Sequence, residues 1–88
     1  MIHITDEDYR QLAMKIEDAS YEYGGYFKKC IQYDTDRFNS DLTVEVLPYD
    51  TDISDEGLFI VFAKMETSIP ESKEENDFDL KKLRSYIC

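Results

Sequence analysis

Leu58-Phe59-Ile60-Val61-Phe62-Ala63 is the stretch that decides the fold class. It is apolar at every position, so in an extended chain both faces are apolar. Leu58, Ile60 and Phe62 fall on one side, and Phe59, Val61 and Ala63 on the other. Six residues are too few for a helix of ordinary length. The β-branched and aromatic content, with Gly57 just before, reads as a strand that is central or covered on both faces.

Upstream, Leu42, Val44 and Val46 alternate with Thr43, Glu45 and Leu47, the pattern of a half-buried strand. Pro48 cannot donate a backbone hydrogen bond and marks the strand's end or an edge position. Residues 34–41 are rich in Asp, Thr, Asn and Ser and read as a turn. Before them, Tyr26 to Tyr33 is a third strand candidate, with Phe27, Ile31 and Tyr33 on one face, Lys29 interrupting it, and a composition that reaches back as far as Tyr21.

The first helix is expected over residues 6–20. Thr5 is its N-cap and Asp8 the carboxylate three residues on, a variant of the capping box, while Ile4 and Tyr9 have the spacing of a hydrophobic staple. Asp6, Glu7 and Asp8 set negative charge against the positive end of the helix dipole. Tyr9, Leu12, Ala13, Ile16 and Ala19 or Ser20 recur at spacings of three and four and form one face. Gly24-Gly25 follows as a turn requiring positive φ. At the other end of the chain, residues 67–76 have no periodicity and read as an exposed connection. A last helix is expected to start from a cap at Asn76 or Asp77, with Leu80, Leu83, Tyr86 and Ile87 as its apolar stripe.

The order is α-β-β-β-α. Strands joined by loops of these lengths form an antiparallel meander, and two amphipathic helices bury their stripes on a sheet face. The expected fold is α+β, a two-layer, three-stranded antiparallel meander with N-terminal and C-terminal helices. The 88 residues suffice for one small domain spanning residues 1–88. If the helices share one face, the apolar set on the other face of Leu58 to Ala63 needs a cover. A helix on each face, a second copy of the chain, or a different partner would each supply it, and a chain this short favours the second copy.

Charge limits the partners. Twenty Asp and Glu against ten Lys and Arg give a net charge of −10, with six acids and no base in residues 41–57. Such a surface repels a phosphate backbone and anionic lipid, so direct nucleic-acid binding is disfavoured and no membrane partner is expected. No basic and apolar leader opens the chain, and the cytoplasm is the default compartment.

Chemical motifs fail on inspection. Asp50, Asp52 and Ser54 match the first positions of a calcium loop, but the required Gly is Asp55 and the required bidentate Glu is Val61. His3 is the only histidine, and Cys30 and Cys88 are far apart in sequence, so no zinc set exists and Cys30 reads as a small buried hydrophobe. Gly24-Gly25 lacks the Lys of a phosphate loop. No catalytic residue, cofactor or metal is therefore expected. The expected function is a non-enzymatic protein-interaction module whose partner is another protein or a second copy of itself. Its candidate surface is Tyr21, Tyr23, Tyr26, Tyr33, Phe59 and Val61, since tyrosine offers rigid area with a polar tip. A competing expectation is an acidic inhibitor or DNA mimic of a basic nucleic-acid-binding protein, using Asp41, Glu45, Asp50, Asp52, Asp55 and Glu56.

Overall fold

A computed structural model describes residues 1–48 and 58–87 of the chain. Helix α1 (Asp6–Tyr23) is followed by β1 (Phe27–Asp34), β2 (Asn39–Pro48), β3 (Leu58–Ile69), β4 (Ser72–Glu74) and a short helix α2 (Leu80–Arg84). The strands form one antiparallel sheet in the order β1-β2-β3-β4. The class is α+β, with four strands among the described residues rather than three.

The additions have local causes. Asn39, Ser40 and Asp41, expected in a turn, pair with Asp34, Tyr33 and Gln32 and lengthen β2. The turn itself narrows to Thr35–Phe38, where the Thr35 hydroxyl accepts from the Arg37 and Phe38 N–H groups. β3 runs on to Ile69 because Met65 and Thr67 continue its buried side. Pro70 and Glu71 turn the chain into β4, within the segment expected to be an exposed connection. Neither Asn76 nor Asp77 caps α2. Asp79 does, accepting from Lys81 N–H at 3.0 Å. Asn76 instead ties Met65 O and Thr67 Oγ1 together, and Asp77 accepts from Ile4 N–H and bonds the His3 ring, both at 2.7 Å.

The α1 boundaries follow its caps. Thr5 Oγ1 accepts from Asp8 N–H and Asp8 accepts from Thr5 N–H, the reciprocal capping box. At the far end Gly24 adopts φ 69° and donates to Ser20 O, so the helix runs three residues past the expected stop. Tyr21 and Tyr23 therefore lie on the last turn of a helix and not at the start of a strand.

The core lies between one face of the sheet and the helices. Tyr9, Leu12, Ile16 and Ala19 of α1 meet Phe27, Ile31 and Tyr33 of β1, Leu42, Val44 and Val46 of β2, Ile60 and Met65 of β3, and Leu83 of α2. The expected buried faces of α1, β1 and β2 are all found. β3 departs from strict alternation: Glu45 pairs with Phe62 and Val46 with Ile60, so Val61 is an inserted bulge residue. A bulge adds one residue and flips the side-chain parity beyond it. Ile60 is buried, but Phe62 faces outward and Ala63 inward. The expectation that Phe62 shares the face of Ile60 is thereby corrected.

One carboxylate is embedded in this packing. Asp8 is 2% exposed and accepts from Tyr33 Oη at 2.7 Å, from Thr5 N–H at 2.9 Å and from Arg37 Nη2 at 2.7 Å on both oxygens. Burial opposes its ionisation, but the Arg37 guanidinium, the Thr5 amide and the Tyr33 hydroxyl outweigh that and hold its carboxyl below the usual aspartate value of 3.8. Burial, reinforced by the bond to Asp8, pushes the Tyr33 phenol far up, so it remains a donor.

Removing this carboxylate strands the buried Tyr33 hydroxyl and leaves the Arg37 guanidinium without its partner. Asp8→Ala should lower unfolding stability by about 3 kcal/mol and Thr5→Ala by about 1 kcal/mol, read from urea midpoints at neutral pH. Equal midpoints for Asp8→Ala and wild type would refute the network's role. Because the folded-state pKa of Asp8 is depressed, its contribution is full well above 3.8 and is lost as pH falls through the folded value. The stability gap between wild type and Asp8→Asn should therefore shrink on acidification from pH 7 towards about pH 2. A gap that is independent of pH would sink that assignment.

Candidate functional site

Both described helices pack on the inner face, and among the described residues no element covers the outer face of the sheet. Its side chains follow from the register. Lys28, Glu45 and Phe62 form one cross-strand row; Cys30, Thr43 and Lys64 the next; Gln32, Asp41 and Glu66 the third; and Asp34, Asn39, Ser68 and Lys73 the last. Beyond the first row Leu47 pairs with Phe59. Tyr26, just before β1, reaches the same region by donating its hydroxyl to Glu45 Oε2 at 2.9 Å.

This face is graded along the strands. At one end Leu47, Phe59, Val61 and Phe62 gather, between 38 and 44% exposed, with Tyr26 more exposed still. At the other end Gln32, Asp34, Asp41, Glu66 and Lys73 line a shallow polar depression of about 200 Å³. The bulge enlarges the apolar end, because in a strand continued regularly from Ile60 Phe62 would turn inward and leave Leu47, Phe59 and Val61 outside. Arg84 from α2 reaches the same stretch of β3. It stacks 4.8 Å over the Phe59 ring, its Nε donates to Ile60 O at 2.9 Å, and Nη2 lies 3.5 Å from Val61 O. Phe59 is thus braced in place while part of it remains accessible.

The expected surface divides into three parts. Tyr26, Phe59 and Val61 come together on the apolar end. Tyr21 and Tyr23 are exposed but belong to the end of α1, where Tyr23 stacks on Phe27 at 5.2 Å and Lys29 Nζ sits 5.7 Å from the Tyr23 ring. Tyr33 is internal, bonded to Asp8, and belongs to no surface. Leu47 and Phe62 are the additions. Leu47 was legible, since its alternation set it beside Thr43 and Glu45, whereas Phe62 depended on a bulge that strict alternation carried through the apolar run conceals.

Of the expected acidic set, Asp41 and Glu45 lie on the outer face of β2, in rows that also contain Gln32 and Lys28. Asp50, Asp52, Asp55 and Glu56 lie outside the described residues, as does the loop tested as a calcium site. Cys30 is exposed on the outer face rather than buried, and His3 is engaged by Asp77. Among the described residues no group of three or more His, Cys, Asp or Glu could hold a metal ion, and no helix is long and apolar enough to cross a membrane. No protein-family model, curated protein or solved structure matches this chain.

Cys30 offers a direct check on which face is open. In a Cys88→Ser background its thiol should react with an aromatic disulfide reagent under native conditions, at a rate within roughly tenfold of the denatured chain. Strong protection that is lifted only by denaturant would place Cys30 inside and invert the sheet.

Proposed function

We propose that this chain is a non-enzymatic protein-interaction module that engages a partner through the apolar end of its open sheet face. One observation carries the reading. Leu47, Phe59, Val61 and Phe62 sit on adjacent strands, outside the core, and the bulge at Val61 turns Phe62 outward to join them. Contiguous exposed apolar side chains with a polar surround mark interaction sites. Tyr26 adds an amphipathic aromatic at the rim, tethered to Glu45.

Charge describes the partner. The linking segment between Pro48 and Leu58 carries Asp50, Asp52, Asp55 and Glu56 and no base, and Glu45 lies on the face itself. A protein that presents apolar side chains within a basic rim complements both features. The internal chemistry also favours binding over catalysis: Asp8, the one buried carboxylate among the described residues, is committed to the α1 cap, Tyr33 and Arg37.

The test uses the full chain as bait, with Leu47→Lys and Phe62→Lys as controls. Both variants should stay folded, within about 1 kcal/mol of wild type, because neither side chain is in the core; Ile60→Lys, at a fully buried position, should unfold the chain. A partner retained by wild type at about 0.5 M salt and lost with both folded variants supports the reading. Capture that collapses with salt and ignores both substitutions would refute it in favour of acidic mimicry.

A further inference from the structure

The two edges of the sheet are treated differently. On the β4 side the edge is partly covered. β4 pairs with Thr67–Ile69, Arg84 takes the carbonyls of Ile60 and Val61, and Ile2 bonds the backbone of Glu75 and Asp77 at 2.8 and 3.0 Å. On the other side, among the described residues, nothing pairs with the outer side of β1. Thr35 N–H donates inward to Phe38 O at 2.8 Å, and backbone groups alternate sides along an antiparallel strand with no register shift. Lys28, Cys30, Gln32 and Asp34 therefore turn their N–H and C=O groups outward. Among the described residues no side chain bonds them. Natural sheets guard such edges with charge, Pro, bulges or cover, and this edge has Lys28 and Lys29 near one end but no Pro and no bulge.

Beside this edge runs a groove of about 300 Å³, walled by Lys15, Asp18 and Glu22 of α1 and by Lys29 and Ile31 of β1. An open edge next to a helix is the geometry into which an additional strand is received. The charges identify the strand. β1 begins with Lys28 and Lys29 and ends with Asp34, so reversing it sets opposite charges together. The order from Lys15 to Glu22 along α1 has the same property.

We infer that the free edge of β1 pairs antiparallel with β1 of a second copy of this chain, about a two-fold axis through Ile31, to form one continuous eight-stranded sheet. In this register Lys28 faces Asp34 of the second copy, twice; Cys30 faces Gln32, twice; and Ile31 meets its own counterpart over the shared core. Centring on Cys30 would set Lys28 against Gln32 and remove both ion pairs. Because the axis is perpendicular to the sheet, both open faces point the same way. The dimer thus doubles the surface assigned above, with the gain in avidity that follows, but it does not depend on that assignment.

Light scattering after size exclusion, with sedimentation over a concentration series, is the test. Wild type should show the mass of two chains. Lys28→Asp and Asp34→Lys should each weaken self-association by roughly tenfold, since each turns two attractive cross-strand pairs into repulsive ones. Mixing these two variants should restore a heterodimer, because both pairs become attractive again. Cys30→Pro removes an outward N–H that the monomer does not use and should give a folded monomer by circular dichroism. Should that variant fail to fold, the charge exchange decides alone. A monomeric wild type at high concentration, or a dimer indifferent to the charge substitutions and their mixing, overturns the inference. A dimer broken instead by Phe62→Lys would assign self-association to the open face, leaving the edge refuted and the proposed contact surface intact.

Discussion

The carboxylate of Asp8 accepts from donors in three separate parts of the chain: the Thr5 amide before α1, the Tyr33 hydroxyl near the end of β1, and the Arg37 guanidinium in the turn to β2. A buried ionised carboxylate is costly unless its lone pairs are filled. The helix start, the strand end and the turn must therefore arrive together. Arg37 also donates to His3 O and lies 4.9 Å over the Phe38 ring, so the same cation fixes the chain entering α1. Tyr9, one residue on, accepts from Asp79 N–H and stacks between Phe78 and Tyr86, each at 5.8 Å. One helical turn thus anchors both ends of the sheet's inner layer.

How much of this was legible depends on the range of the cause. The capping box, the stripe of α1 and the alternation of β2 are set by residues within a few positions, and the structure reproduces them. Tyr33 shows the limit. Its place on the Phe27–Ile31 face was readable, but its role was not, because the partner that makes a buried hydroxyl acceptable is twenty-five positions away in sequence. Asn76 and Asp77 have the composition of a helix cap and are used instead for long-range ties to β3 and to the N-terminal segment. The short helix then starts at Asp79, the next residue able to cap it.

The bulge at Val61 added Phe62 to the candidate surface, and the run that contains it carries no signature of it by itself, since every residue there is apolar. Polar residues report their face by contrast with neighbours. In Leu58 to Ala63 that contrast is missing, so parity could only be read by carrying strict alternation through the run. Downstream residues do carry information: Met65 and Thr67 inward with Lys64 and Glu66 outward is a clear alternation, and extending it backward puts Ala63 inside and Phe62 outside. Extending the alternation forward from Ile60 gives the opposite answer for Phe62. The conflict between the two phases locates an inserted residue between Ile60 and Ala63.

Element lengths explain why both described helices lie on one face of the sheet. At about 1.5 Å per residue, the eighteen residues of α1 span roughly 27 Å. At about 3.3 Å per residue, the twelve residues of β3 span roughly 40 Å. A single helix cannot cover such a strand, and α2, with Leu83 buried and Tyr86 and Ile87 packed beside it, completes the inner layer. Both described helices are then committed to one side, and neither remains for the other. The outer face is mostly polar, as an exposed antiparallel face should be. Its one apolar end lies where the bulge, the α2 arginine and the departure of the chain towards the acidic segment coincide. Selection for solubility alone would not require four apolar side chains there, since Lys64 and Glu66 show that β3 tolerates charge on the same face two and four residues beyond Phe62.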